Sequence, residues 1–288
     1  MTTITRQDFR FAERLRVRWS EIDAQQIVFN GHYLNYFDLA VGAYWRALAL
    51  PYTDTMAALG GDLFVRKATL EYLGSARYDE QLEVGVRCAR IGNSSMQVIG
   101  AVFRGQQLLV HGELIYVFAD PLTQLPMPIP HQLRAVLTDF EAGQNIVEVK
   151  LGDWAELGGH AREIRQQVFI DEQKIPAEME WDSEDARCLH AVAFNRFGRA
   201  LATGRLMEHV PGVAKIGRMA VMRNLRGSHI GRDLLEALMS QARREGYREA
   251  VLHAQLSAAG FYARAGFVQR GPSFEELGIA HVEMVCVL

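Results

Sequence analysis

The sequence predicts an α+β fold divided into two domains, and three observations lead to that expectation. In the first part of the chain, one long helical segment precedes four strand-like segments that have no strong helix between them. Four prolines then interrupt the chain between residues 120 and 130. Beyond them, strands alternate with helices, which is typical of a mixed sheet. We therefore expect domains at residues 1–130 and 147–288, joined by a linker at 131–146 that holds a short helix.

The first domain is predicted to wrap one sheet around one helix. Residues 11–19 alternate apolar and charged side chains, as a half-buried strand does. The helix begins after Gly31, and its apolar side chains cover so wide a face that we expect it to be largely buried. Glycine-containing pairs at Gly92 and Gly105 predict hairpin turns between later strands. Those strands are predicted at 63–73, 81–91, 95–104 and 107–118.

The second domain is predicted to be a mixed sheet flanked by helices. Apolar periodicity predicts a helix over residues 151–171, and a polar, acidic stretch follows at 172–186. A ligand site is expected where neighbouring strands of such a sheet separate. Strands are predicted at 189–194, 200–207, 215–221, 250–254 and 282–287, and helices at 231–245 and 258–265.

The composition excludes several classes of protein. Apolar residues make up 49% of the chain and charged residues 23%, which are globular values. The net charge of −3 and the absence of a long basic run give no indication of nucleic-acid binding. Three widely spaced cysteines predict neither a disulfide framework nor a metal site. With no apolar signal segment at residues 1–11, and an apolar stretch at 39–50 that Arg46 interrupts, we expect a cytoplasmic protein.

The first domain resembles a known family over roughly residues 11 to 130. The segment WSEIDAQQIVFNGHYLNYFD places Tyr33 ten positions after Asp23. The later segments LEYLGSA, RIGNSS and HGELIYVFAD continue the likeness. Together they resemble the hot-dog-fold acyl-CoA thioesterases of the 4-hydroxybenzoyl-CoA thioesterase and tol-pal-associated type. The resemblance implies hydrolysis of an acyl-CoA thioester in a homodimer or tetramer.

That resemblance implies a role for each residue of the loop. Asp23 would act as nucleophile or general base. Backbone amides at Asn30 and Gly31 would stabilise the developing oxyanion, with Tyr33 beside the thioester. Many relatives carry Gly where this chain has Gln26, and His where it has Asn30. The alternative interpretation is that Asp23 only caps a helix and that the domain is a scaffold for dimerisation or acyl-CoA binding.

The second domain resembles the GNAT N-acetyltransferases. In the segment VMRNLRGSHIGRDLL, a strand end feeds a helix start whose free amides suit a pyrophosphate. Arg226, Ile230 and Gly231 match the family pattern Arg/Gln-x-x-Gly-x-Gly/Ala, while His229 stands where the first glycine is usual. Tyr262 falls where many members place the Tyr that protonates the CoA thiolate. The implied CoA contacts are Met219, Val221, Arg226, Gly227, Ser228, His229, Ile230, Gly231, Arg232 and Gln255.

Within that family, the subgroup typified by the ElaA protein is closer still. Val168-Phe169, Glu172-Gln173 and His190 match its pattern. The resemblance implies an amine acceptor, with Glu172 and Asp182 among the acidic residues that would face it. The alternative interpretation is a solvated acidic loop. His190 is interpreted as structural, and His281 is left open. The other acidic residues of the stretch are Glu178, Glu180 and Asp185.

The two resemblances together predict a bifunctional enzyme that uses acyl-CoA twice, as a thioesterase and as an acetyltransferase. One alternative is that a single module is catalytic, and Gln26 and Asn30 favour a degenerate first module. The opposite alternative is a thioesterase whose second module senses CoA, which His229 favours. CoA or acyl-CoA enters as substrate in every case, and no metal is expected.

Overall fold

The computed structural model describes residues 4–288, and its internal contacts separate two compact units. The first unit ends at Ile146 and the second runs from Val147 to Leu288. Residues 131–146, predicted to be a linker, belong instead to the first unit. Within 4–288, no helix is long and apolar enough to cross a membrane.

The first unit contains a five-stranded antiparallel sheet in the order β1-β3-β4-β5-β2. Each strand predicted from residue 63 onward is present within a residue or two of its expected ends, and a short second helix was not predicted. The strands are β1 (Phe11–Arg16), β2 (Asp62–Tyr72), β3 (Gln81–Ile91), β4 (Ser95–Arg104) and β5 (Gln107–Ala119). The helices are α1 (His32–Ala47), α2 (Tyr52–Leu59) and α3 (His131–Glu141).

Helix α1 lies close to the sheet because two facing glycines leave room for it. Gly100 on β4 and Gly112 on β5 are cross-strand partners. A Cβ at Gly100 would lie 2.8 Å from the ring of Phe37, and one at Gly112 would lie 2.9 Å from it. Phe37 is fully buried in consequence. The predicted burial of α1 therefore depends on glycines that are distant in sequence.

Helix α3 packs on the first unit because one of its faces is apolar. Leu133 and Leu137 are fully buried, and Phe140 lies under the Arg10 guanidinium at 4.3 Å. Glu141, at the end of the helix, accepts hydrogen bonds from the Tyr44 hydroxyl and from the Cys88 amide. These contacts explain why the segment is part of the unit and not a linker.

The second unit contains an eight-stranded sheet whose main path is β11-β13-β10-β9-β8-β7-β6. The predicted helix at 151–171 starts later than expected, and β6 precedes it. After α4, the chain continues as a π-helix, Gln166–Glu172. The strands are β6 (Val147–Gly152), β7 (Leu189–Asn195), β8 (Ala200–Val210), β9 (Val213–Val221), β10 (Glu249–Gln255), β11 (Val268–Gln269), β12 (Phe274–Glu276) and β13 (Ile279–Val287). The helices are α4 (Trp154–Arg165), α5 (Ala177–Glu180), α6 (Ile230–Arg244) and α7 (Ala259–Arg264).

Strands β9 and β10 separate in the middle of this sheet. They pair in parallel only where Val213–Lys215 meets Glu249–Val251. Beyond Lys215, β9 continues to Val221 with β8 on one side and no strand of the described chain on the other. The unpaired edge opens a cleft, and α6 begins shortly after the end of β9. A mixed sheet that splays in this way positions the site described next.

Candidate active sites

A cavity of about 460 Å³ lies at the separation of β9 and β10. Its walls combine an apolar interior with polar groups from several elements, which is the usual character of a small-molecule site. Residues that form these walls include Phe169, Gln173, Met219, Gln255, Tyr262 and His281. Three of the predicted residues, Met219, Gln255 and Tyr262, therefore meet in one cavity.

Tyr262 is a buried phenol at the wall of this cavity. Its side chain packs edge-on against Phe261 and Phe267, and the residue is only 8% exposed. Burial raises the pKa of Tyr262 to about 12. The hydroxyl has no hydrogen-bond partner within residues 4–288. It therefore stays protonated near neutral pH and is free to donate to a group that enters the cavity.

The loop that enters α6 has several unused amides. The backbone N–H groups of Gly227, His229, Ile230 and Gly231 have no acceptor among the described residues. His229 adopts the left-handed conformation, with φ of 69°, so the family's glycine at this position has a conformational reason. A Cβ at Gly231 would lie 3.2 Å from Val221, so this glycine lets α6 start close to β9.

Two of the predicted residues in this region bind each other. Both terminal nitrogens of Arg226 donate to the Glu172 carboxylate at 2.7 Å, and Arg226 Nε donates to the Val221 carbonyl. The hydrogen bonds from Arg226 hold the pKa of Glu172 below its usual value. Glu172 is not among the residues that form the cavity. The expectation that it faces an amine is therefore wrong, because it fastens the loop before α6 to the π-helix.

Asp182 is engaged in ion pairs, in contrast to the expectation of a free acceptor-binding carboxylate. It accepts hydrogen bonds from Arg205 at 2.7 Å and 2.8 Å, and from Arg218 at 3.1 Å. The hydrogen bonds from Arg205 lower its pKa. Asp182 also caps the following turn through the Glu184 amide. Its negative charge is thus already neutralised by protein groups.

These pairs are part of a buried charge cluster that sequence reasoning missed. Arg165 is 1% exposed and binds the carboxylates of Glu180 and Asp185. Arg205 joins Asp185 to Asp182. Burial raises the pKa of Glu180, which reaches the cavity wall together with Arg218. With three guanidinium groups and three carboxylates the cluster is electrically balanced. Its members are Arg165, Glu180, Asp182, Asp185, Arg205 and Arg218.

In the first unit, Asp23 shapes the loop before α1. Its Oδ1 accepts hydrogen bonds from the amides of Gln25 at 2.8 Å and Ile27 at 3.5 Å. Its Oδ2 has no partner within residues 4–288. Gln26 is left-handed, with φ of 62°, which explains the glycine that many relatives carry at this position. Asp23 is therefore held by the turn while one oxygen remains available.

The start of α1 leaves two amides available near that loop. Asn30 and Gly31 are exposed, and their backbone N–H groups have no acceptor in the described part of the chain. The Tyr72 hydroxyl donates to the Asn30 carbonyl at 3.2 Å. Tyr33 differs from its expected role beside the thioester. It is buried, and its hydroxyl oxygen accepts the Ala76 amide at 2.9 Å, so it holds the neighbouring segment in place.

The fold and these sites define two classes: a sheet wrapped around a helix with an acidic loop, and a splayed sheet with a tyrosine cavity. The family model "Thioesterase superfamily" matches residues 25–111, and the model "Acetyltransferase (GNAT) domain" matches residues 161–288. The chain therefore belongs to both families, as a hot-dog domain followed by a GNAT domain. These matches confirm the resemblances and the α+β fold class predicted from the sequence.

Individual relatives support the same assignment for the second unit. The chain is 32% identical to the uncharacterized protein YyaT of Bacillus subtilis (strain 168) over 127 residues, covering 43% of this chain and 84% of the relative. It is 30% identical to the uncharacterized N-acetyltransferase YjcF of the same organism, covering 42% and 86%. A thioesterase from Thermus thermophilus, solved with coenzyme A and zinc, has a TM-score of 0.41 at 22% identity, covering 48% of this chain and 99% of that one.

Proposed function

We propose that the second unit transfers an acetyl group from acetyl-CoA to the amine of a small molecule. The observation that carries this proposal is Tyr262, a buried phenol without an internal partner in the cavity between β9 and β10. Attack by an amine on the thioester expels a thiolate, which needs a proton. Tyr262 supplies that proton, since its raised pKa keeps it protonated until the thiolate forms.

The loop before α6 would hold the pyrophosphate of CoA. Four amides without acceptors surround Gly227 and the start of the helix, where the helix dipole favours negative charge. Arg226 is neutralised by Glu172, so its contribution is to fix the loop, and Arg232 is the more exposed positive group. Met219 and Val221 would lie along the pantetheine arm, because the free edge of β9 offers backbone groups there. Gln255, bound to Gln173 at 2.9 Å, would line the same channel.

For the first unit, we propose hydrolysis of an acyl-CoA thioester at Asp23. The free Oδ2 would attack the thioester carbonyl or activate a water. Amides at Asn30 and Gly31 would receive the oxyanion. The site would form between protomers of a homodimer or tetramer. The terminal strand β2 supports such an assembly, because Val65 and Tyr72 on it are more than half exposed.

A second candidate function for the first unit is an acyl-CoA-binding or dimerisation scaffold. The hydrogen bonds from Gln25 and Ile27 to Asp23 favour it, because they are the bonds of an aspartate that only stabilises a turn. On this alternative, the acetyltransferase is the single catalytic module.

Release of free thiol from a panel of acyl-CoAs tests both units in the intact chain. Asp23→Asn retains the acceptor for the Gln25 amide but removes the carboxylate, and Tyr262→Phe removes only the hydroxyl. We expect amine-independent release to fall about 10²-fold or more in Asp23→Asn and to persist in Tyr262→Phe. We expect amine-dependent release to show the opposite pattern, so each variant is the control for the other.

The outcomes separate the alternatives. If wild type hydrolyses no acyl-CoA of the panel, the first unit is a scaffold. If it hydrolyses one equally well as Asp23→Asn, the assignment of Asp23 is wrong. If no amine increases thiol release above that background, the second unit is not an acetyltransferase under these conditions and the alternative of a CoA sensor gains support.

A further inference from the structure

We propose that His281 is the general base that takes a proton from the amine before it attacks the thioester. The proposal rests on acetyl transfer by the second unit and adds a catalytic residue to it. An amine arrives largely as an ammonium ion near neutral pH and cannot attack in that form. A neutral base in the acceptor cavity removes this barrier.

The backbone sets the tautomer of His281. Its Nδ1 lies 2.8 Å from the Ile279 carbonyl oxygen. A carbonyl oxygen can only accept, so Nδ1 must carry the hydrogen of this bond. In the neutral ring, Nε2 then holds a lone pair. Nε2 has no partner in the part of the chain that the structure describes. The result is a ring fixed on one side and available as a base on the other.

The position of His281 matches that role. It lies on β13 directly opposite Gln255 on β10, and both residues form walls of the cavity. Helix α7, which carries Tyr262, packs against the same two strands. The imidazole stacks on Phe274 at a centroid distance of 6.1 Å and an angle of 23°. A proton acceptor and a proton donor are thus held in one cavity of about 460 Å³.

Other bases near the cavity are less suited. Glu180 is bound to Arg165 and approached by Arg218. His253 has a carboxylate beside each nitrogen, Glu276 at 3.5 Å and Glu283 at 3.9 Å. Other charged or titratable groups on the cavity walls are more remote from Gln255 along their strands or lie on the loop before β7. They are Glu184, Arg205, Glu208, His209 and Lys215.

The proton balance is complete with these two residues. Nε2 of His281 takes a proton from the ammonium group, and the free amine attacks the carbonyl carbon of acetyl-CoA. The new C–N bond forms as the C–S bond breaks, and Tyr262 gives its proton to the CoA sulfur. The extra proton on the amide nitrogen leaves to water. The imidazolium proton then restores the Tyr262 phenol, directly or through water, so both residues return to their starting states.

Two amines of similar size distinguish a base from a structural residue. Benzylamine is protonated near neutral pH and needs a base, whereas aniline is already neutral. His281→Asn keeps an N–H donor for the Ile279 carbonyl but lacks the second nitrogen. We expect kcat/KM for benzylamine to fall about 10²-fold in this variant and kcat/KM for aniline to change less than about threefold. The acidic limb of the benzylamine pH profile should shift towards the ionisation of the amine itself.

His160→Asn is the matched control, since His160 is exposed on α4 and outside the cavity. It should leave both rates unchanged. Equal losses with both amines in His281→Asn, or no loss, would overturn the role of His281. So would a ¹⁵N NMR spectrum of the wild-type protein that places the His281 hydrogen on Nε2, a readout that needs no turnover. Absence of amine-dependent thiol release in wild type would instead reject acetyl transfer itself.

Discussion

Replacement of Arg165 tests the buried charge cluster of the second unit. Its guanidinium makes four hydrogen bonds, three to the carboxylates of Glu180 and Asp185 and one to the Glu180 carbonyl. Both carboxylates are about as buried as the arginine. In Arg165→Met they would lose their main positive partner and remain in the interior. Removing one partner of a buried ion pair costs about 3–5 kcal/mol of unfolding free energy.

Urea unfolding of the whole chain measures this loss. With an m-value of about 2 kcal/mol per molar, the midpoint of the second unit should fall by about 1.5–2.5 M. The transition of the first unit serves as an internal reference. Arg162→Met is the control, because Arg162 is exposed and lies 5.2 Å from the rings of Trp154 and Trp181 without a carboxylate partner in the described chain. It should cost no more than about 1 kcal/mol.

The pH dependence of Arg165→Met is a further part of this prediction. Without the guanidinium, burial should raise the folded-state pKa of Glu180 and Asp185 above their unfolded values. A raised folded pKa means that stability is lost as pH rises and regained as it falls. The difference between variant and wild type should therefore be smaller at pH 5 than at pH 8. Equal destabilisation by both arginine variants, or a loss in Arg165→Met that does not change with pH, would refute the reasoning.

Three other predictions follow from the structure. Gly100→Ala should lower the unfolding free energy by about 1–3 kcal/mol in urea titration, because its Cβ would meet the Phe37 ring at 2.8 Å. Gln26→Gly and His229→Gly should each raise it by up to about 1 kcal/mol, since both residues have positive φ; a clear loss would show that their side chains are needed. In Glu172→Gln, the KM for acetyl-CoA should rise by up to about fivefold as the loop before α6 loosens. Because the pKa of Glu172 lies below 4.5, its pair contributes stability above about pH 4.5 that is lost on acidification, and this variant should lack that contribution.

Local signals in the sequence were sufficient for much of the fold. The alternation of Val147, Val149 and Leu151 could also have revealed β6, but the apolar periodicity of the following helix extends over it. The error arose because a short run of this kind satisfies the period of a strand and of a helix alike. The expected linker was wrong for a related reason, since the apolar face of α3 has no partner in sequence and finds one only in the folded unit.

The candidate sites divide in the same way. Asp23 and Tyr262 belong to continuous motifs, and the turn or helix that holds each is local. The consequence of each departure from a family glycine was not visible until the backbone showed Gln26 and His229 in the left-handed conformation. The role of Glu172 could not be predicted, because its partner Arg226 is 54 positions away.

By itself, the sequence determined the α+β class, the two modules and the loops that carry the CoA motifs, because these depend on interactions between residues close along the chain. Only the tertiary structure decided which polar groups are free. Asp182 is neutralised by Arg205, and the Tyr33 hydroxyl is occupied by the Ala76 amide. His281 instead retains an unused nitrogen beside Gln255, among the residues that the structure describes. Such pairing depends on distances across the sheet and between elements, and no pattern of neighbouring residues encodes those distances.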